Sequence, residues 1–220
     1  MLVLSVDTTS VRGSVAILDD EALVASAGFV TKSPRHAENL LPQVDYLLSE
    51  FGVKLRDVNA FAVGTGPGSF VGIRIGIASI LGFAYSCGRP AVGVSVLDAT
   101  AYNYRHFSGD VCVMLDAYRG EVYGACYRCD GQASICVTEP VCMTPQQFVD
   151  KLPKMPGLLV GSGSVTHRKV LKSILSENVV FTESNPFLAE SVGRIAALKI
   201  EKGEVDEPKA IYIRSSEVSA

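Results

Sequence analysis

The 220-residue sequence predicts an α/β fold built from two similar units. Three observations lead to this prediction. Segments with strand periodicity alternate with segments of helical periodicity along the whole chain. Their order, three strands followed by helix, strand and helix, begins again after residue 106. Each half opens with an apolar strand that ends in an aspartate, Asp7 in the first half and Asp116 in the second.

The first half contains three strands joined by tight turns within 2–30. Apolar residues at helical spacing then predict a helix over about 37–51. A short apolar strand, AFAVGTG, leads through the loop GPGS into a second helix over 69–87, which Gly88 ends. A strand at PAVGVSVL and a helix over about 97–105 complete this half.

A polar stretch after the third helix marks the boundary between a lobe at 1–106 and a smaller lobe at 107–220. The strands VCVMLDA, EVYGACYR and SICVTEPV open the second lobe, and a helix follows with Thr144 as N-cap and Pro145 at its first position. The remaining predicted elements are the strands GLLVGSG and NVVF, a helix over about 165–175, and a last helix at about 186–201 that is a candidate to pack back on the first lobe.

Composition and charge exclude several classes of protein. Hydrophobic residues make up 48% of the chain and charged residues 20%, which excludes a disordered protein. The net charge is −3 and no basic run occurs, whereas a protein that binds a duplex or tRNA by itself normally carries a basic face. No apolar stretch reaches about 18 residues without a glycine or a charge, and the start lacks a cationic signal region. We therefore expect a soluble cytoplasmic protein without a membrane span.

A duplicated β-β-β-α-β-α unit with an aspartate after its first strand is the plan of the actin-like fold (ASKHA, ribonuclease-H-like), shared with sugar kinases and the Hsp70 ATPase. In that fold two hairpins hold phosphates and a metal. Each aspartate taken alone is better explained as a turn residue at the end of a strand, and only the pairing of the two favours the actin-like fold. The second hairpin lacks phosphate-wrapping glycines, and only Gly-Ser-Gly remains of an adenosine loop. We therefore expect at most a vestigial nucleotide cleft, with residual ATP or ADP binding left open and no cofactor required. Its residues would be Asp7, Thr8, Thr9, Asp116, Gly161 and Gly163.

The loop and helix GTGPGSFVGIRIG carry the most informative pattern. Ser69 predicts a helix cap, and the helix N-terminus could hold an anion, although a tight strand-to-helix turn explains the glycines as well. No lysine follows as in a P-loop, and no dinucleotide fingerprint fits. The helix is apolar on nearly all sides, which predicts either a partner surface or a helix buried within one chain. The expected interface comprises His36, Leu40, Leu41, Val44, Phe70, Val71, Gly72, Ile73, Arg74, Gly76, Ile77 and Ile80.

The spacing of histidines and cysteines offers little support for a metal site. His36 opens a helix but has no second ligand one turn on, where Leu40 stands, so neither a metalloprotease nor a catalytic triad is predicted. Cys126 and Cys129 with two later cysteines leave a zinc site as an alternative to small strand residues around an Asp-Gly turn. No secretory signal accompanies the six cysteines, so no disulfide framework is expected.

The segments LSVDTT, RHAENLLP, GTGPGSFVGIRIG, DAYRGEVY and AIYIR together resemble the TsaB (YeaZ) family, in family order over 2–214. The resemblance implies an actin-like fold and a non-catalytic scaffold role in forming threonylcarbamoyladenosine beside the anticodon of tRNAs reading codons that begin with A. It implies a catalytic TsaD partner and an ATPase, TsaE, with tRNA bound only through the complex and a homodimer when the protein is alone.

Departures from the family pattern are small: Val71 stands where threonine is usual, and Ala37 where serine is usual. The TsaD relatives carry a metal-binding pair of histidines, of which this chain keeps only the first.

An active actin-like ATPase or small-molecule kinase remains the alternative function. A peptidase is a weaker one, because the second metal ligand is missing.

Overall fold

The computed structural model describes residues 1–20, 22–30, 36–152, 157–182 and 186–213, and the side chains of His36 and Ala37 lie outside the description. Residue Arg214, in the AIYIR segment, also lies outside it. The chain divides into two compact units, Met1–Ala99 with Phe187–Ile211, and Thr100–Pro186 with Tyr212 and Ile213. The division falls after Ala99, inside a helix, whereas the sequence predicts a boundary after residue 106.

The first unit contains a five-stranded sheet in the order β3-β2-β1-β4-β5. The two hairpins of β1, β2 and β3 are antiparallel, and β4 and β5 add parallel to β1. The strands are β1 (Leu2–Asp7), β2 (Arg12–Asp19), β3 (Ala22–Val30), β4 (Ala60–Gly64) and β5 (Ala91–Val94); the helices are α1 (His36–Glu50), α2 (Phe70–Cys87) and α3 (Val96–Tyr102), which crosses the unit boundary, with a single 3₁₀ turn at Leu55–Asp57.

Helices cover both faces of this sheet, which explains why β1 and β4 are apolar on both sides. On one face, α1 and α2 enclose a core that includes Leu4, Phe61 and Ile80. On the other face lies the last helix, α7 (Ala189–Glu201), beside Ala16 and Leu18. Ser5 Oγ donates a hydrogen bond to the Ala189 carbonyl over 2.7 Å. The last helix thus belongs to the first unit.

The second unit repeats the connectivity with a sheet in the order β11-β10-β6-β7-β8, while β9 also pairs with β7. Its strands are β6 (Ser108–Asp116), β7 (Val122–Asp130), β8 (Ser134–Cys136), β9 (Val141–Met143), β10 (Leu158–Val160) and β11 (Val180–Phe181); its helices are α4 (Pro145–Asp150), α5 (Ser162–Thr166) and α6 (Arg168–Ile174). Phe148 of α4 and Leu171 of α6 pack into one core with Met114 and Leu159.

Local sequence signals were accurate at the helix starts. Ser69 Oγ accepts the N–H of Gly72 over 3.2 Å, and Thr144 and Gln147 form a reciprocal capping box. Two predicted elements differ. The strand predicted over 134–141 is broken into β8 and β9, where Pro140 lacks the N–H that a ladder needs. The helix predicted over 165–175 is two short helices, α5 and α6.

Two of the six cysteines form a disulfide, which the sequence did not predict. Cys112 and Cys126 face each other across the antiparallel β6–β7 pair, with Cα atoms 4.1 Å apart, and form a disulfide. The zinc alternative is therefore wrong, since Cys126 is not free to bind metal. The other four cysteines form no disulfide. Sequence spacing alone could not reveal a pair that depends on strand register.

Candidate functional site

The predicted nucleotide cleft draws residues from both units, and the part in the first unit is Asp7 with its two threonines. All three residues are buried. Oδ1 of Asp7 accepts hydrogen bonds from the Thr9 N–H over 3.2 Å and the Thr9 hydroxyl over 2.7 Å. No donor among the described residues reaches Oδ2. Burial raises the pKa of Asp7 to about 6, against the opposing effect of the Thr9 hydrogen bonds.

The turn between β1 and β2, which contains Thr8 and Thr9, occupies the space beside the glycine-rich loop. The Ser69 N–H donates to the Thr9 carbonyl over 2.7 Å, and the Thr8 hydroxyl donates to the Gly72 carbonyl over 2.7 Å. A Cβ on Gly64 would lie 2.6 Å from Oδ1 of Asp7. The backbone groups at the start of α2 are thus partly used by the chain itself. The tight-turn interpretation accounts for these contacts.

Gly72 and Gly76 allow α2 to lie close to the chain beneath it. A Cβ on Gly72 would overlap the Thr8 carbonyl oxygen, and one on Gly76 would lie 2.6 Å from the Thr8 hydroxyl. These glycines let α2 approach β1 and β4 of its own sheet. Their inclusion in the expected interface is therefore wrong, because both glycines face inward.

The expected interface residues separate into two groups. The buried group packs inside the first unit: Leu40, Val44, Gly72, Ile73, Gly76 and Ile80. Leu41, Phe70 and Val71 are each about half exposed, Arg74 is exposed, and Ile77 is partly buried. The guanidinium of Arg74 lies 3.6 Å from the ring centroid of Phe70, which orders both side chains.

The outward face of α2 is therefore largely apolar, with Arg74 as its one charged residue. Phe70, Val71, Ala78 and Tyr85 are exposed on it, and Tyr85, a residue outside the expected interface, is 73% exposed. Tyr46 on α1 is 58% exposed. Only 28% of the residues of α2 are buried. The signal for these aromatic residues was the all-round apolar character of the helix, which does not distinguish its inner from its outer side.

Among the described residues, α2 is also the helix that is long and apolar enough to cross a membrane by length and composition. Core helices of water-soluble proteins satisfy the same criterion. The inner side of α2 packs on the first unit's sheet through Gly72 and Gly76.

In the second unit, the predicted cleft residues form a different arrangement. The Asp116 N–H donates to Ser162 Oγ over 3.0 Å, and Oδ1 of Asp116 lies 3.6 Å from Nε2 of His167. A Cβ on Gly161 would overlap the Met114 carbonyl, and one on Gly163 would lie 2.9 Å from Val122. Both glycines thus allow α5 to pack closely on β6. His167 has no local signal in the sequence, because its carboxylate neighbour, Asp116, lies far away along the chain.

The hairpin after Asp116 has an unusual backbone. Tyr118 and Arg119 both have left-handed conformations, with φ of 63° and 54°, and the Tyr118 side chain is 67% exposed. Such a conformation is strained for residues with a Cβ.

For metals, the described residues contain no group of three or more histidine, cysteine or carboxylate side chains placed to hold an ion. Leu40, at the position of a second histidine ligand, is fully buried in the core.

The family profile described as "TsaD: tRNA N6-adenosine threonylcarbamoyltransferase" matches residues 24–187. The Bacillus subtilis tRNA threonylcarbamoyladenosine biosynthesis protein TsaB is 27% identical over 228 residues, covering 100% of this chain and 97% of that protein. This chain belongs to the TsaB (YeaZ) branch of that family. The Escherichia coli TsaB is 39% identical over 132 residues, which span 59% of this chain and 56% of that protein.

The TsaB assignment extends to solved structures. The structure of YeaZ from Pseudomonas aeruginosa superposes with a TM-score of 0.82 at 28% identity, covering 96% of this chain and 99% of that chain. A ROK hexokinase from Thermus thermophilus and the ethanolamine utilization protein EutJ match with TM-scores of 0.51 and 0.54 at 14% and 10% identity. These last two likenesses show the fold alone. The predicted actin-like fold class is confirmed.

Proposed function

We propose that this protein is a non-catalytic partner subunit in forming the threonylcarbamoyl group on the adenosine beside the anticodon of tRNAs that read codons beginning with A. Membership of the TsaB branch supports a role in this tRNA modification. The protein acts with a TsaD-like catalytic subunit and a TsaE-like ATPase in the cytoplasm. It contacts tRNA only within that complex, in agreement with its net charge of −3.

The absence of catalysis is supported by how the glycine-rich segments are used. A phosphate loop needs free backbone N–H groups facing an open space. Here Ser69 N–H is bonded to Thr9, and the side of Gly72 where a Cβ would stand is filled by Thr8. Gly161 is likewise closed off by the Met114 carbonyl. Asp7 is fully buried and so is poorly placed to meet a hydrated metal ion.

The docking surface that we propose is the exposed side of α1 and α2. Leu41 and Tyr46 on α1, and Phe70, Val71 and Tyr85 on α2, are all between 49% and 73% exposed. Exposed apolar surface of this extent is typical of protein interaction sites. A second copy of the chain covers the same surface when the catalytic partner is absent.

The test is reconstitution of the modification on unmodified tRNA, with the TsaD-like and TsaE-like proteins of the same source. Val71→Glu places a charge on the proposed surface, and Val170→Glu on α6 is its matched control, because the two valines are 49% and 48% exposed in early helical positions. We expect Val71→Glu to abolish co-elution with the TsaD-like protein and formation of the modified nucleoside. Val170→Glu should leave both unchanged.

Two results would contradict the proposal. One is full modification by the Val71→Glu variant, which would place the docking surface elsewhere. The other is ATP turnover by the isolated protein that is above background and is abolished by Asp7→Ala. That result would favour the actin-like ATPase or kinase.

A further inference from the structure

Tyr118 and Arg119 lie at the centre of the turn that joins β6 to β7, and we call these two residues the hairpin tip. Both are left-handed, with φ of 63° and 54°. A Cβ makes this conformation unfavourable, and glycine is the residue that adopts it most readily. The tip therefore holds two large side chains at positions where the backbone favours glycine.

The side chains of the hairpin tip are exposed and take no part in the polar contacts of the fold. Tyr118 is 67% exposed, and Arg119 is exposed as well. Within the described part of the chain, neither side chain makes a hydrogen bond, an ion pair or a ring contact. Interactions of these kinds inside the protein thus do not explain why tyrosine and arginine stand at the two left-handed positions.

Hydrogen bonds on both sides hold the backbone of the tip in place. The Tyr118 N–H donates to Oδ1 of Asp116 over 3.3 Å, and the Tyr118 carbonyl accepts the Glu121 N–H over 3.0 Å. The Ala117 N–H donates to the Glu121 carbonyl over 3.0 Å. Because the backbone is already ordered, a ligand that binds the two side chains does not have to order the turn.

An aromatic ring beside a guanidinium fits the chemistry of RNA. Tyrosine side chains stack on unpaired bases, and the guanidinium of arginine binds phosphate with two parallel donors. Tyrosine and arginine are also common in protein interfaces, but such an interface takes about 20–30 residues on each side. One nucleotide presents a base and a phosphate, which two side chains are enough to contact.

We propose that the hairpin tip contacts a single-stranded loop of the tRNA, with Tyr118 stacked on an unpaired base and Arg119 bound to a neighbouring phosphate. This contact rests on the proposed function, in which the assembled complex binds the tRNA. It adds to the affinity of the complex, and one phosphate contact releases too few counterions for the chain to bind tRNA by itself.

The experiment measures the affinity of the complex for unmodified tRNA by fluorescence anisotropy at several salt concentrations. The complex contains the full chain with the TsaD-like and TsaE-like proteins of the same source. Arg119→Gln should weaken binding several-fold and reduce the slope of log affinity against log salt by about 1, as loss of one phosphate contact requires. Tyr118→Ala should weaken binding about fivefold or more without changing the slope, whereas Tyr118→Phe keeps the ring and should bind like the parent.

The matched control is Arg56→Gln, which removes the same charge from an exposed arginine on the 3₁₀ turn of the first unit. It should change neither the affinity nor the salt slope. Every tip variant should co-elute with the TsaD-like protein as the parent does, because the tip is not part of the proposed docking surface. A structural defect in the turn would not by itself change the salt slope, so the slope separates a phosphate contact from misfolding.

The outcomes for this contact and for the proposed function are distinguishable. If Arg119→Gln and Tyr118→Ala bind tRNA like the parent, or if Arg56→Gln acts like Arg119→Gln, the RNA contact is refuted while co-elution and modification by the parent still support the proposed function. Loss of co-elution in the tip variants would make the tip a protein contact and would also refute it. If the parent itself neither co-elutes nor supports modification, the proposed function fails, and the contact that depends on it fails too.

Discussion

Replacing Gly72 of α2 with alanine should destabilise the first unit, although alanine is the better helix former. The new Cβ would overlap the Thr8 carbonyl oxygen, a backbone atom that cannot rotate away. Overpacking of this kind costs about 1–3 kcal/mol. Moving α2 outward also breaks the bond from the Thr8 hydroxyl to the Gly72 carbonyl, a loss of about 1 kcal/mol. Since alanine gains about 1 kcal/mol in helix propensity, the net loss is about 1–3 kcal/mol.

Gly82 is the matched control on the same helix. A Cβ at that position has no atom within 4 Å, so Gly82→Ala receives the propensity gain without the clash. We expect Gly82→Ala to stabilise the protein by up to about 1 kcal/mol. The sign of the effect should therefore reverse between two glycines that are both helical and ten residues apart.

Urea unfolding followed by circular dichroism measures both variants against the parent chain. The chain has no tryptophan, so tyrosine fluorescence serves as the second probe of the transition. Thermal midpoints should move by about 2–4 °C for each kcal/mol in a chain of this length. If Gly72→Ala is as stable as the parent, or if both variants shift in the same direction, α2 does not pack on β1 as described and the inward assignment of its glycines is wrong.

Three further predictions concern other parts of the molecule. Because the folded-state pKa of Asp7 is raised to about 6, its stabilising contribution is complete below the unfolded-state pKa and is lost as the pH rises through 6, by roughly 3 kcal/mol at most. Asp7→Asn should flatten this slope in urea titrations between pH 4 and pH 7, and an unchanged slope would assign it to another group. Alkylation of the denatured, unreduced protein should label the four cysteines outside the disulfide, Cys87, Cys129, Cys136 and Cys142, and mass spectrometry showing six labels would exclude the Cys112–Cys126 bond. Arg119→Gly should raise the thermal midpoint, because a left-handed residue with a Cβ costs about 1–2 kcal/mol, and a lowered midpoint would mean that the arginine side chain stabilises the turn.

Local patterns in the sequence determined most of the element order. Alternation and helical periodicity report which residues face a core, and caps such as Ser69 and Thr144 satisfy backbone groups within a few residues of themselves. The repeated strand plan with its terminal aspartates was sufficient to predict the actin-like class. The strand pattern alone did not predict that 134–141 would pair with β7 as two short strands, β8 and β9, separated by a segment that ends at Pro140.

Tertiary structure alone decided which side is covered in elements without a periodic apolar face. A helix that is apolar all round, such as α2, has no periodicity to show that Gly72 and Gly76 face Thr8 while Phe70 and Tyr85 face outward. Strand register decided that Cys112 meets Cys126, and chain folding brought His167 within 3.6 Å of Asp116. These contacts join residues that are distant along the chain. The physical reason is that composition and periodicity describe a residue's preference for burial, whereas the identity of the neighbour that buries it depends on the whole fold.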